Sequence, residues 1–126
     1  MHWVIDGNNV MGAGADGWWN DPPAAAARLT QTVALWCRRH DQAVTLVFDG
    51  QPVESVEVLA GGNLSVRFAN STKRDAADDV IVAFVEDLYA EEARIAVVTS
   101  DKGLVARLAP GVENVRTGAF RRTLGI

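Results

Sequence analysis

With one cysteine in 126 residues, the chain cannot form an internal disulfide, and a lone Cys37 fits the reducing cytoplasm. Histidine is nearly as scarce. His2 and His40 stand far apart, so no His/Cys cluster offers a zinc site. No Ser-His-acid or Cys-His arrangement supplies an activated nucleophile either. Apolar runs fall far short of the ~20 residues that a membrane span needs. No basic segment leading into an apolar one opens the chain, so neither a membrane helix nor a secretion signal is expected. Positive charge is not in excess: twelve Lys and Arg against sixteen Asp and Glu leave a net charge of −4 and a pI near 5.0, which excludes a general polycation. Repeats, low-complexity tracts and dividing linkers are also missing. What is there is 48% hydrophobic and 22% charged, as in ordinary globular proteins. A chain of this length buries roughly two-thirds of its unfolded surface without disulfides or a structural metal. Residues 1–126 are therefore expected to form a single domain.

Charge is unevenly placed. From Arg94 onward six basic residues (Arg94, Lys102, Arg107, Arg116, Arg121, Arg122) meet only Asp101 and Glu113. This permits a local anion-binding surface on an acidic protein, and equally a solvated basic tail.

Strand and helix alternate along the chain. Trp3-Val4-Ile5-Asp6 reads as a buried strand stopped by a turn at Gly7-Asn8-Asn9. Ala24 to His40 reads as a helix, with Asp21 and Pro22 as cap and first turn. Ala43 to Phe48 is a second strand. Ser55 to Ala60 and Leu64 to Ala69 look extended around Gly61-Gly62-Asn63. Asp75 to Glu92 is a long helix, Ile95 to Thr99 a strand, Lys102 to Leu108 a short helix and Val112 to Arg116 a final strand. Continuously apolar strands separated by helices specify an α/β three-layer domain around a mostly parallel sheet. Ligands in such folds bind beyond the carboxyl ends of the strands.

Three strands end in an aspartate: Asp6, Asp49 and Asp101. Parallel strands bring all three to one sheet edge. Aspartate is depleted in strands, and its charge is costly to cover. Each could instead cap a helix or shape a turn, Asp49 before Gly50 above all. The helix that opens Lys73-Arg74-Asp75-Ala76-Ala77-Asp78-Asp79 adds further acids. Asp78 falls on the apolar stripe with Ile81, Val82 and Val85, Asp79 leans to the polar side, and Asp75 sits at the boundary. The helix dipole favours acids in a first turn generically, but gives no reason for one to face inward. Carboxylates gathered at one edge repel unless a cation lies between them. Oxygen ligands suit hard divalent ions such as Mg²⁺, and the matching chemistry is metal-assisted phosphodiester hydrolysis.

Gly12-Ala13-Gly14-Ala15-Asp16-Gly17 matches the spacing of a dinucleotide-binding loop. It lies beyond the strand-to-helix turn that such a site requires, and Trp18-Trp19-Asn20-Asp21-Pro22-Pro23 intervenes before the next helix. It is read as a loop. Trp18 and Trp19 either staple that loop to the core or stack on bases at the mouth of a site.

Val4-Ile5-Asp6-Gly7-Asn8-Asn9-Val10-Met11-Gly12 resembles the opening D-G-x-N motif of the NYN-domain, YacP-like ribonucleases, a branch of the PIN-like nucleases. Val47-Phe48-Asp49-Gly50, Ala77-Asp78-Asp79-Val80-Ile81, Val98-Thr99-Ser100-Asp101 and Gly118-Ala119-Phe120-Arg121-Arg122 resemble the family's later segments, in order and over nearly the whole chain. The resemblance implies a Rossmann-like sheet of order 3-2-1-4-5 and a Mg²⁺- or Mn²⁺-dependent ribonuclease, expected to be endonucleolytic. It implies Asp6, Asp78 and Asp101 as metal-binding acids, with Asp49 and Asp79 auxiliary. Asn9 would orient a ligand or water, and Thr99, Ser100 and Asn8 would support the acids from behind. Asn8 departs from the aromatic residue that the family often has there. Lys73, Arg74, Lys102, Arg121 and Arg122 are the candidate phosphate contacts, with Trp18 as a candidate base-stacking residue. The implied partner is RNA, with no membrane; a homodimer or association with RNA-processing machinery is left open. The alternatives are an RNA-binding or scaffold domain of the same fold with weak or lost catalysis, and an aspartyl phosphatase. The phosphatase usually wants an acid two residues after the first, where this chain has Asn8.

Overall fold

The computed structural model describes residues 1–91 and 94–126. Five strands form one sheet: β1 (His2–Asp6), β2 (Ala43–Phe48), β3 (Leu64–Phe68), β4 (Ile95–Val98) and β5 (Glu113–Val115). Their order is β3-β2-β1-β4-β5, and every pairing is parallel. The expected order is therefore observed, in a sheet that is wholly rather than mostly parallel. Strand order reverses at β1, so the crevice between the ends of β1 and its two neighbours is the natural ligand position.

Alternation of side chains along each strand divides the core in two. Ile5, Leu46 and Phe48 face the layer built by α1 (Gly7–Gly12), α2 (Pro22–His40), α3 (Glu54–Glu57) and α6 (Thr117–Leu124), where Met11, Leu29, Val33, Val56 and Phe120 meet them. Val4, Val47 and Val97 face α4 (Ala76–Tyr89) and α5 (Lys102–Ala106), packing on Ile81, Val85 and Leu104. Burial on both faces explains why these strands read as unbroken apolar runs.

The helices depart from expectation in instructive ways. Gly7-Asn8-Asn9 is the first turn of α1, not a bare turn. The Asp6 side chain accepts from the Asn9 amide and supplies the N-cap that two helix-poor asparagines lack. Ser55 to Ala60 is not extended; it overlaps α3 and the turn that follows, because Val53, Val56 and Leu59 recur at a spacing of three and Val56 is fully buried. Helix α2 begins at Pro22, where the missing amide costs nothing, and Asp21 accepts from Ala24 N–H. Helix α4 ends at Tyr89 and the expected end at Glu92 lies outside the described residues. The Gly118-to-Arg122 segment is helical as part of α6.

Helix α6 is held to α1 by Arg121, whose Nη1 donates to the Val10 carbonyl at 3.1 Å. A Cβ on Gly14 would stand only 2.7 Å from the same guanidinium, so the loop after α1 closes tightly over it. Arg121→Ala is expected to cost about 1–3 kcal/mol, because the carbonyl of the buried Val10 loses a charged donor. Urea denaturation checks this.

Candidate active site

Strand register builds the site. One step beyond the Ile5–Val98 pair, Asp6 meets Thr99. The Thr99 hydroxyl donates to Asp6 Oδ2 at 3.0 Å, while Asp6 Oδ1 accepts from Asn9 N–H at 3.4 Å. Asp6 is one of the few buried polar residues, 5% exposed. Burial is the main reason its carboxyl is pushed up to about 6; Thr99 and Asn9 pull the other way, and the charges of Asp78 and Asp49 add to the rise.

Asn9 is locked in turn. Its Oδ1 accepts from Ser100 N–H at 2.8 Å and lies 3.5 Å from the Thr99 hydroxyl. The Thr99 hydroxyl also accepts from Asp101 N–H at 3.1 Å. Ser100 turns away from the acids and joins Thr117, their hydroxyls 2.9 Å apart. Thr99, Asn9 and Ser100 thus knit the ends of β1 and β4 into one rigid corner.

Asp101 caps α5, its Oδ1 accepting from Gly103 N–H at 2.8 Å and Leu104 N–H at 3.2 Å. The helix-cap explanation of the strand-end acids therefore applies to Asp6 and Asp101. In Asp101 it occupies one oxygen, and Oδ2 has no protein donor among the described residues. Asp49 is placed by Asn8, whose Oδ1 accepts from Asp49 N–H at 2.7 Å. Its carboxyl is raised by burial and lowered by the Ala77 amide at the start of α4. Asp78, in the first turn of α4, is raised by burial and then by Asp101 and Asp75.

Asp6, Asp49, Asp78 and Asp101 all line one open cleft of about 310 Å³, together with Asn8, Asn9, Lys73 and Arg74. Two further lining residues escaped the sequence. Thr72 is one. Asp75 is the other, in a left-handed conformation (φ 66°) immediately before α4, with no side-chain capping bond. Aspartate tolerates that conformation better than most residues. The signal for it was its place three residues before Asp78.

Some expected residues are not brought to the cleft. Asp79, one residue and about 100° round the helix from Asp78, instead pairs with Arg107 at 2.8 Å on the exposed side. Arg121 is committed to Val10, and neither Arg122 nor Lys102 lines the cleft. Trp18 packs against the core beneath the α1 loop and stands edge-on to Trp19, ring centroids 5.9 Å apart; Trp19 is the more exposed of the two.

Neither of the two ion pairs among the described residues involves an acid of the cleft. Carboxylates crowded without a cationic partner, one of them buried, form an oxygen-only donor set suited to a hard divalent ion. Among the described residues no three acids, His or Cys already stand close enough to enclose an ion.

Residues 3–109 match the YacP-like NYN domain. The chain belongs to the YacP-like NYN family. This is a family of PIN-like nucleases, so its members' substrates are nucleic acids. The fold agrees with that of Rae1 (YacP) from Bacillus subtilis, with a TM-score of 0.76 at 22% identity over 99% of this chain and 74% of that one. A point mutant of the same protein gives 0.74 at 21% identity, over 98% and 74%. The T5 D15 protein, crystallised with metal ions, is similar at a TM-score of 0.58 and 9% identity, over 91% of this chain and 53% of that one. No curated protein matches the chain in sequence. The NYN match and the sheet order together establish the PIN-like fold. No helix among the described residues is long and apolar enough to cross a membrane.

Proposed function

We propose that this YacP-like NYN chain, a single domain over residues 1–126, is a divalent-metal-dependent ribonuclease that cleaves RNA internally. The observation that carries the proposal is the cleft itself: five aspartates, Asp6 and Asp49 at the ends of β1 and β2, Asp75 and Asp78 at the start of α4 and Asp101 at the β4–α5 junction, with Lys73 and Arg74 on the rim. Asp6, Asp78 and Asp101 are the residues that would hold Mg²⁺ or Mn²⁺, with Asp49 beside them. Bound there, such an ion neutralises charge on a phosphate and lowers the pKa of water. The T5 D15 crystals with metal ions support that class of cofactor.

The chain's own residues supply the rest. Thr99 and the Asn9 amide hold the Asp6 carboxylate in one orientation, so little reorganisation is needed when substrate arrives. Asn9 spends its Oδ1 on Ser100 and keeps its Nδ2 as a donor for a substrate oxygen or a water. Lys73 and Arg74 line the cleft with the acids and attract the phosphate backbone that five carboxylates would otherwise repel. A buried lone Cys37 fits a reducing compartment such as the cytoplasm.

The test is cleavage of end-labelled single-stranded and hairpin RNA with Mg²⁺, Mn²⁺ or chelator, for wild type and Asp101→Asn. Asn caps a helix nearly as well as Asp, so the variant should fold normally and lose cleavage. Mg²⁺ should also raise the melting temperature of wild type more than that of the variant. Equal turnover in both would remove Asp101 from the mechanism. No cleavage and no metal-induced shift in wild type would leave a nucleic-acid-binding domain as the better description.

The cationic rim has its own expected result. Lys73→Ala with Arg74→Ala should weaken RNA binding and reduce the slope of log K against log[salt] by about 1.4, roughly 0.7 per phosphate contact on a single strand. Affinities measured across a salt series check it, and an unchanged slope would leave these two side chains as solvated surface.

A further inference from the structure

Beside the acid cleft lies a second recess of about 350 Å³ whose chemistry is the opposite. It opens where β2 and β3 end against α1 and α2. Its floor is apolar, made by Met11, Ala26, Phe48 and Phe68. The two phenylalanine rings lie nearly parallel, centroids 6.0 Å apart and 26° between planes. Pro22 and Pro23 stand exposed on its far rim. A recess of this size, apolar with a few polar groups at its edge, is the usual form of a site for a small aromatic group.

Its position decides what that group is. The recess and the acid cleft share a wall made by Asn8, Asp49 and Thr72. Thr72 is followed directly by Lys73 and Arg74, the cations of the cleft. A strand with one phosphate in the cleft therefore carries its neighbouring base to the edge of the recess. Asn8 completes the arrangement: its Oδ1 is spent on Asp49 N–H, leaving the Nδ2 amide at the shared wall as a donor toward a ring nitrogen or carbonyl. Gln51, also at the rim, donates from Nε2 to the Asn70 carbonyl and keeps Oε1 as an acceptor. Asn8, which holds the Asp49 backbone at the acid cleft, thus also stands between two compartments of different polarity.

We propose that this recess seats one unpaired nucleobase adjacent to the scissile phosphate, and so selects single-stranded RNA. The inference rests on the ribonuclease reading for the identity of the strand, and adds the subsite that chooses where the strand is held. A base paired in a duplex cannot enter, because its faces are stacked and its edge is occupied.

An abasic scan tests it. RNA oligomers carry a single abasic nucleotide at successive positions around the mapped cleavage point. One fixed position should lower kcat/KM roughly tenfold or more, the worth of one base stacked on apolar side chains. Ala26→Leu, which fills the recess from α2, should cut intact and abasic oligomers at the same reduced rate. Phe68→Leu, which keeps apolar bulk but removes one ring, should lie between. Circular dichroism and melting confirm that both variants fold. If wild type cuts every abasic oligomer as fast as the intact one, the subsite is overturned while the nuclease stands. A second arm needs no catalysis: Asp6→Asn protein is titrated with oligomers carrying 2-aminopurine at successive positions. A fluorescence change confined to one position, and lost in the Asp6→Asn/Ala26→Leu protein, supports the recess even if no RNA is ever cut. A change equal at all positions overturns it.

Discussion

Asp6→Asn is expected to abolish cleavage, by at least on the order of a hundredfold, and yet to make the protein more stable at neutral pH. The two effects share one cause. Asp6 is buried at the end of β1 with no cationic partner among the described residues, and its carboxyl is pushed up to about 6 from 3.8. A carboxyl whose folded-state pKa lies above its unfolded value binds its proton more tightly in the folded chain. Its contribution to stability is therefore fully present below about pH 4 and is lost as pH rises through about 6. A shift of this size corresponds to at most about 3 kcal/mol. Asn removes the titration, retains the cap on α1, and gives back part of the gain by weakening the bond from Thr99. The net expected gain at pH 7.5 is on the order of 2 kcal/mol, shrinking toward zero or below at pH 4.5. Denaturant melts of both proteins at the two pH values check it. A gap that does not change with pH would mean that Asp6 carries no burial penalty. Mg²⁺ should narrow the gap at pH 7.5, because a bound cation stabilises the ionised carboxylate.

Gly7→Ala is expected to destabilise the fold by about 3 kcal/mol, against what local propensity says. In an isolated helix, alanine is better than glycine by up to about 1 kcal/mol, and Gly7 opens α1 with an ordinary backbone that alanine can adopt. Packing reverses the sign. A Cβ there would stand 2.6 and 2.7 Å from Phe48 Cε1 and Cδ1 and 2.8 Å from the Val47 carbonyl oxygen. The Val47 carbonyl belongs to the backbone of a central strand and cannot withdraw, and the Phe48 ring would have to be displaced into the recess that it floors. Overpacking of this kind typically costs 1–3 kcal/mol, occasionally more. The close approach also sets how Asp6 and Asn9 enter the cleft, so cleavage should fall along with stability. A chemical denaturation curve for Gly7→Ala decides the matter: a variant as stable as wild type would mean that α1 is free to shift.

Much of this protein is legible in its sequence. Val4-Ile5-Asp6, Leu46-Val47-Phe48-Asp49 and Val97-Val98-Thr99-Ser100-Asp101 are apolar runs that stop in acids. Unbroken apolar strands between helices must be parallel and covered on both faces, which carries their carboxyl ends to one edge. Asp78 was legible because the 3.6-residue period places it with Ile81 and Val85. These inferences need only local chemistry and periodicity, and the acid cleft follows from them.

What the chain alone left open depends on contacts between residues distant in sequence. Gly7-Asn8-Asn9 has the composition of a turn; it is helical because Asp6 caps it and β2 fixes Gly7 from 40 residues away. Arg121 looks like the cation of a solvated tail until the Val10 carbonyl is found beside it. Asp75 and Asp79 are near-equivalent acids by period, and only the left-handed entry into α4 and the partner Arg107 send one into the cleft and the other out. Asn8 acquires its place from the Asp49 amide, and the apolar recess from four elements meeting at the ends of β2 and β3. Periodicity assigns a side chain to a face. Which partner waits on that face is a property of the packed tertiary structure, because the partner's position is determined by every other element of the sheet.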